Sequence, residues 1–82
     1  MQIEFKLFAT LMGYLPDGAV KNAITLDVAE NTTPYQLIDT YCVPRSEVHL
    51  VLINGVYVDE AGRDRPLKSH DTLAIWPPVA GG

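Results

Sequence analysis

Strand-like alternation at both ends of the chain, with one short helix signal between them, most restricts how these 82 residues can fold. At the start, Ile3, Phe5 and Leu7 fall on one side and Gln2, Glu4, Lys6 and Phe8 on the other, the period of two that marks a strand with one buried face. Near the end, Thr72 to Trp76 repeats the pattern with Leu73 and Ile75 inward and Ala74 and Trp76 outward. Both strands need the same cover, so the elements between them must supply it.

After a loop marked by Gly13 and by Leu15-Pro16-Asp17-Gly18, the stretch Ala23 to Val28 sets Ile24, Leu26 and Val28 against Thr25 and Asp27 and reads as the hairpin partner of the first strand. Thr33-Pro34-Tyr35-Gln36 is a helix start, with a Thr cap, a Pro at the first helical position and Gln36 placed to return a hydrogen bond to the cap. Leu37, Ile38, Tyr41 and Cys42 continue it as an apolar stripe until Pro44 biases Val43 out of the helical region, which predicts about two to three turns. On that stripe Cys42 is expected to behave as a small buried hydrophobe. Val48 to Ile53 is an apolar run broken only by His49, and Asn54-Gly55 then turns the chain into Val56-Tyr57-Val58, a strand and its short hairpin partner. The charged segment Asp59 to Asp71, with Arg63, Asp64, Arg65 and Lys68, is expected to be a solvated loop.

So short a helix is unstable alone and must lie on the apolar face of the sheet. The order strand, strand, helix, strand, strand, strand therefore predicts an α+β chain of the β-grasp, ubiquitin-like outline: a mixed sheet of about five strands packed on one main helix. The first and last strands pair in parallel at its centre. Residues 1–76 form the domain. Residues 77–82, Pro77-Pro78-Val79-Ala80-Gly81-Gly82, are too few and too small to pack into a core and form a tail projecting into solvent.

Composition removes several function classes. With 48% hydrophobic residues there is one core and room for no second domain. A formal charge of −4 argues against a surface that neutralises phosphates, so nucleic acid is not an expected partner. The acidic balance fits either a solvated surface or approach to a basic patch on another protein. No apolar run reaches membrane-spanning length and the first ten residues carry neither a basic leader nor a cleavage site, so a membrane role is not expected. Cys42 as the single cysteine, with His49 and His70 as the two histidines, can make neither an internal disulfide nor a zinc quartet, and a cytoplasmic location follows. Neither a glycine-rich phosphate loop nor a nucleophile beside a base is present. His49 reads as a strand residue and His70 as part of the tight turn before the last strand, with no complete general base or metal site around either.

Val51-Leu52-Ile53-Asn54-Gly55, Pro66-Leu67-Lys68, His70-Asp71, Leu73-Ala74-Ile75-Trp76 and the ending Pro77-Pro78-Val79-Ala80-Gly81-Gly82 together resemble the MoaD/ThiS family of ubiquitin-like sulfur carriers. The likeness is strongest over Val48 to Gly82, includes Leu7-Phe8-Ala9, and extends to the middle of the chain only as a pattern of elements. His70 departs from it, since the family usually has glycine there. The resemblance implies a carrier and not an enzyme. Its Gly82 carboxylate is adenylated by an ATP- and magnesium-using partner of the ubiquitin-activating type, becomes a thiocarboxylate by taking sulfur from a donor, and passes that sulfur to an acceptor such as a synthase subunit. The chain itself is expected to bind no cofactor. The ending looks closer to carriers serving the molybdopterin or tungstopterin dithiolene than to those serving the thiamin thiazole, while transfer-RNA thiolation and amino-acid sulfur insertion use the same outline. Two alternatives share the fold: a protein modifier joined to lysines through Gly82, and an interaction domain that makes no use of its tail.

The tail composition suits activation. Gly81 and Gly82 place no Cβ beside the reacting carbonyl and permit an extended chain to enter a narrow site. Pro77 and Pro78 fix φ, lack an amide donor and so keep the tail from extending the sheet. Three aromatic residues sit where a core does not need them: Phe8 and Trp76 on the outward sides of their strands, and Tyr57 just after the Asn54-Gly55 turn. If the end strands are neighbours they make a docking patch near the tail, and by resemblance partner enzymes grip this face. The alternative is a satellite core beneath the long loops.

Overall fold

Ile3, Phe5 and Leu7 are buried while Gln2, Glu4 and Lys6 between them are not, and this alternation builds the first strand, β1 (Gln2–Leu7). In the computed structural model, which describes residues 1–78, it is followed by a 3-10 helix at Ala9–Tyr14, β2 (Ala23–Asp27), α1 (Pro34–Thr40), β3 (Leu50–Ile53), β4 (Val56–Tyr57) and β5 (Thr72–Trp76). The sheet order is β2-β1-β5-β3-β4. β1 and β5 run parallel with Phe5 opposite Leu73 and Leu7 opposite Ile75, whereas the β1–β2, β3–β5 and β3–β4 pairs are antiparallel. One helix covers one face of a mixed five-stranded sheet, which is the β-grasp arrangement.

Local chemistry fixes the helix start. The Thr33 hydroxyl accepts from the Gln36 N–H at 3.1 Å while Gln36 Oε1 accepts from the Thr33 N–H at 3.0 Å, so two amide donors left over at the helix end are satisfied reciprocally. Leu37 and Ile38 then pack into a core with Ile3, Phe5, Leu7, Leu11, Val51, Leu67, Leu73 and Ile75. At the tip of the β3–β4 hairpin, Asn54 and Gly55 have φ of 52° and 82°, the two positive values that a tight turn with the twist of its strands requires. Asn54 also ties this tip to the chain entering β5: its Nδ2 donates to Asp71 at 2.9 Å and its Oδ1 accepts from the Thr72 N–H at 2.8 Å.

Four features differ from the sequence reading. Cys42 is exposed, and Val43 is the residue that enters the core. The helix stops at Thr40, Cys42 takes φ 61°, and the N–H groups of Cys42 and Val43 donate to the carbonyls of Asp39 and Ile38 at 3.1 and 2.9 Å. These are the paired bonds of a Schellman cap, whose left-handed residue points away from the core and whose next residue packs back onto the helix. Ala74 is buried although it lies on the outer face, because its cross-strand neighbours are the longer Lys6 and Leu52. Arg63 is also buried: its Nε donates to the Val58 carbonyl at 3.0 Å and its Nη2 lies 3.5 Å from the His49 carbonyl, so a guanidinium with main-chain acceptors at the two ends of the β3–β4 hairpin is drawn out of water. Finally, β3 begins at Leu50 and not at Val48, since a 3-10 turn at Arg45–Glu47 with Val48 N–H bonded to Arg45 precedes it. His49 therefore lies just ahead of the strand, although its N–H still donates to the Trp76 carbonyl at 3.0 Å.

Candidate functional site

The tail starts where the central strand stops. β5 is flanked by β1 on one side and β3 on the other; its pairing with β1 ends at Ile75 and its pairing with β3 at Trp76. Pro77 is buried and Pro78 exposed. The first residue expected to belong to the tail is thus packed into the domain, and the chain reaches solvent at the second. Val79, Ala80, Gly81 and Gly82, the remaining tail residues expected to act, lie outside the described residues.

Phe8 and Trp76 meet. Their rings stack with centroids 4.0 Å apart and planes within 8°, and both are half-buried. Ladder register accounts for the contact: with Leu7 opposite Ile75, the next positions bring Phe8 and Trp76 side by side on the outer face. Trp76 is in turn opposite Leu50 of β3. The adjacent row on the same face runs from Lys6 through Ala74 and Leu52 to Tyr57, and Tyr57 is 58% exposed. Tyr57 therefore shares the face but is separated from the aromatic stack by Leu50 and Leu52. Its ring centroid is 6.0 Å from the guanidinium carbon of Arg63, a weak cation–π contact that leans it toward the buried arginine.

Leu50 and Leu52 are the members of this face that the sequence reading passes over. A signal for them exists. An unbroken apolar run on a sheet with a single covering helix must put every second residue on the uncovered side, and Leu50 and Leu52 are those residues. The face is largely apolar at the tail end and becomes charged away from it, where Lys6 and Glu4 form an ion pair at 3.3 Å.

Among the described residues no group of three His, Cys, Asp or Glu is placed to hold a metal ion. His49 and His70 are exposed and Cys42 lies at the helix end on the opposite side of the sheet. His70 has φ 68°, a conformation glycine adopts more readily, and its N–H donates to the Gln2 carbonyl at 2.6 Å. The perturbed acid is Asp39 on α1: hydrogen bonds from Arg45, at 2.9 and 3.2 Å, hold its carboxyl below the usual carboxylate range. That pair belongs to the helix side. What the outer face offers is a largely apolar surface beside the root of the tail.

The ThiS family model matches residues 6–82. No curated protein sequence matches the chain significantly. Among solved structures, SAMP1 from Haloferax volcanii is 25% identical over the whole of both chains with a TM-score of 0.70. Two further likenesses concern the fold. In a complex of subunits 1 and 2 of the molybdopterin-converting factor from Helicobacter pylori, the similar chain is 18% identical over the full length of both, with a TM-score of 0.61. A putative molybdopterin converting factor subunit 1 from Pyrococcus furiosus is 24% identical with a TM-score of 0.64, over 95% of this chain and 98% of that one.

Proposed function

The chain belongs to the ThiS family of ubiquitin-like sulfur carriers, small carrier proteins and not catalysts, and on that premise we propose that Gly82 is its working group. The terminal carboxylate attacks ATP on a partner enzyme of the ubiquitin-activating type, with magnesium held by that partner, giving an acyl adenylate and pyrophosphate. Activation is required because a carboxylate is a poor electrophile until it gains a leaving group. A sulfide then displaces AMP and leaves the thiocarboxylate; with a persulfide donor, the acyl disulfide first formed needs a thiol to release it. The thiocarboxylate sulfur passes to an acceptor.

The observation that carries this reading is the junction at β5: a strand held on both sides ends at Trp76, passes through a buried Pro77, and leads into a sequence ending in Gly81-Gly82. In sequence only Pro78, Val79 and Ala80 separate the stable domain from a pair of residues without Cβ. The outer face supplies the grip, with Trp76, Phe8 and Tyr57 as its aromatic contacts.

The acceptor we favour is a larger synthase subunit making the dithiolene of molybdopterin or tungstopterin, with the thiamin thiazole next. Support comes from the Pro-Pro-Val-Ala-Gly-Gly ending and from the fold shared with converting-factor subunits. Because every step depends on cytosolic ATP and reduced sulfur, the protein acts in the cytoplasm; among the described residues no helix is long and apolar enough to cross a membrane.

A second reading is favoured by the full-length likeness to SAMP1. In it the same activated Gly82 is attacked by a lysine amine and forms an isopeptide bond. Blots of host extract with an antibody to this chain distinguish the two: a ladder of heavier conjugates that survives thiol identifies the modifier, and a single free species the carrier. ATP–pyrophosphate exchange with the host's activating enzyme tests the step that both share.

A further inference from the structure

Sheet pairing around the tail root stops unevenly. On the β3 side it continues, since the His49 N–H donates to the Trp76 carbonyl at 3.0 Å. On the β1 side the last bond is from the Phe8 N–H to the Ile75 carbonyl at 3.1 Å. In a parallel ladder the next bond would run from the N–H of residue 77 to the Phe8 carbonyl, but residue 77 is proline and has no N–H to give. The Phe8 carbonyl accepts instead from the Leu11 N–H at 3.0 Å, as the chain turns away into the 3-10 helix. The stacked rings of Phe8 and Trp76 lie on the outer face beside the place where the β1 pairing ends.

The backbone holds Phe8 there. Ala9 takes φ 52°, a conformation that costs a residue with a Cβ roughly 1–2 kcal/mol and that survives only where its surroundings impose it. Leu11, two residues on, is fully buried and anchors the turn. The side chain of Phe8 is thus fixed between the end of β1 and an anchored helix, and its ring presses on the last residue before the tail.

We propose that Phe8 is a positioning residue: by clamping Trp76 it sets the direction in which the chain leaves β5, and so the placement of Gly82 in the activating enzyme. This assignment rests on the carrier reading and adds to the docking role of the face. A docking contact contributes to binding. A direction-setting contact contributes to the rate after binding, because a misplacement of about 1 Å at the reacting group can cost on the order of a hundredfold. Buried Pro77, with its φ fixed, transmits the direction from Trp76 to Pro78.

The test is ATP–pyrophosphate exchange with the host's activating enzyme, measured as kcat and KM for the native protein and for Phe8→Leu, Phe8→Ala and Phe8→Tyr. Phe8→Leu keeps apolar bulk without a stacking ring, and Phe8→Tyr keeps the ring. Fluorescence anisotropy of Trp76, the single tryptophan, reports in each variant whether the clamp is loosened, and thermal melts exclude unfolded samples. The expected result is a kcat lowered by on the order of tenfold or more in Phe8→Leu and Phe8→Ala, beside any rise in KM from the lost docking contact, with kcat restored in Phe8→Tyr. A rise in KM with kcat unchanged makes Phe8 a docking contact only and overturns the proposal while leaving the carrier reading intact. Equal kcat in all four proteins overturns it as well. If the native protein is not activated, the carrier reading fails and this inference with it.

Discussion

Ile75 and Trp76 are consecutive in β5 and face opposite sides of the sheet: Ile75 is wholly buried under α1, while Trp76 is half-buried on the outer face against Phe8. Stability and the proposed partner recognition should therefore separate at neighbouring positions. Ile75→Ala should destabilise the domain by about 2–5 kcal/mol, the cost of a cavity in a packed core. Trp76→Ala should lose the aromatic pair, about 0.5–1.5 kcal/mol, and weaken binding to the activating enzyme by about 1–3 kcal/mol. Denaturant melts and a binding titration on both variants check this; a Trp76→Ala protein that melts as early as Ile75→Ala contradicts the assignment of faces.

Cys42 sits in a left-handed conformation that glycine adopts without strain. Cys42→Gly should raise stability by up to about 1 kcal/mol, the relief of strain being partly offset by a more flexible unfolded chain. Cys42→Ala should change little, since the side chain is exposed, and Cys42→Val should destabilise because a β-branched residue fits this conformation poorly. Urea midpoints for the three variants decide between a cap residue and a core cysteine, for which alanine would be costly.

Arg63 is buried against carbonyls at the two ends of the β3–β4 hairpin, and removing it strands them. Arg63→Ala leaves the Val58 carbonyl without its side-chain donor and empties the space under Tyr57, for an expected loss of about 1–3 kcal/mol. Arg63→Lys should recover only part of it, since an ammonium lacks the planar fork that reaches the Val58 and His49 carbonyls together. Chemical denaturation measures both, and an Arg63→Ala protein as stable as the native one contradicts the buried arrangement.

Legibility followed the range of the interactions. The start of α1 was readable because Thr33, Pro34 and Gln36 determine one another within four residues. The Asn54-Gly55 turn was readable for the same reason, and the parallel pairing of the end strands followed from their shared pattern of burial. The end of α1 was not readable in detail: Pro44 shows that the helix stops, but the Schellman bonds to Asp39 and Ile38 decide that Val43 and not Cys42 turns inward. Arg63 was illegible because its acceptors are main-chain carbonyls at Val58 and His49, which no side-chain pattern reveals. Of the site, Phe8 and Trp76 were found by phase, whereas Leu50 and Leu52 were hidden in a run that reads as core throughout. The burial of Pro77 depends on the depth of β5 in the sheet, and composition assigned that residue to the tail.

On the proposed reading Gly82 carries the chemistry while the domain only presents it. Removing Gly82 should leave the melting temperature almost unchanged, because loss of one terminal residue disturbs no core contact among those described. The direct measurement is the intact mass of the native and Gly82-deleted proteins after incubation with the host's activating enzyme, ATP, magnesium and sulfide. The native protein should gain the mass difference of one oxygen replaced by sulfur, located by fragmentation at Gly82, and the deleted form should gain nothing. A native protein of unchanged mass, or a deleted form converted as readily as the native one, would contradict that reading.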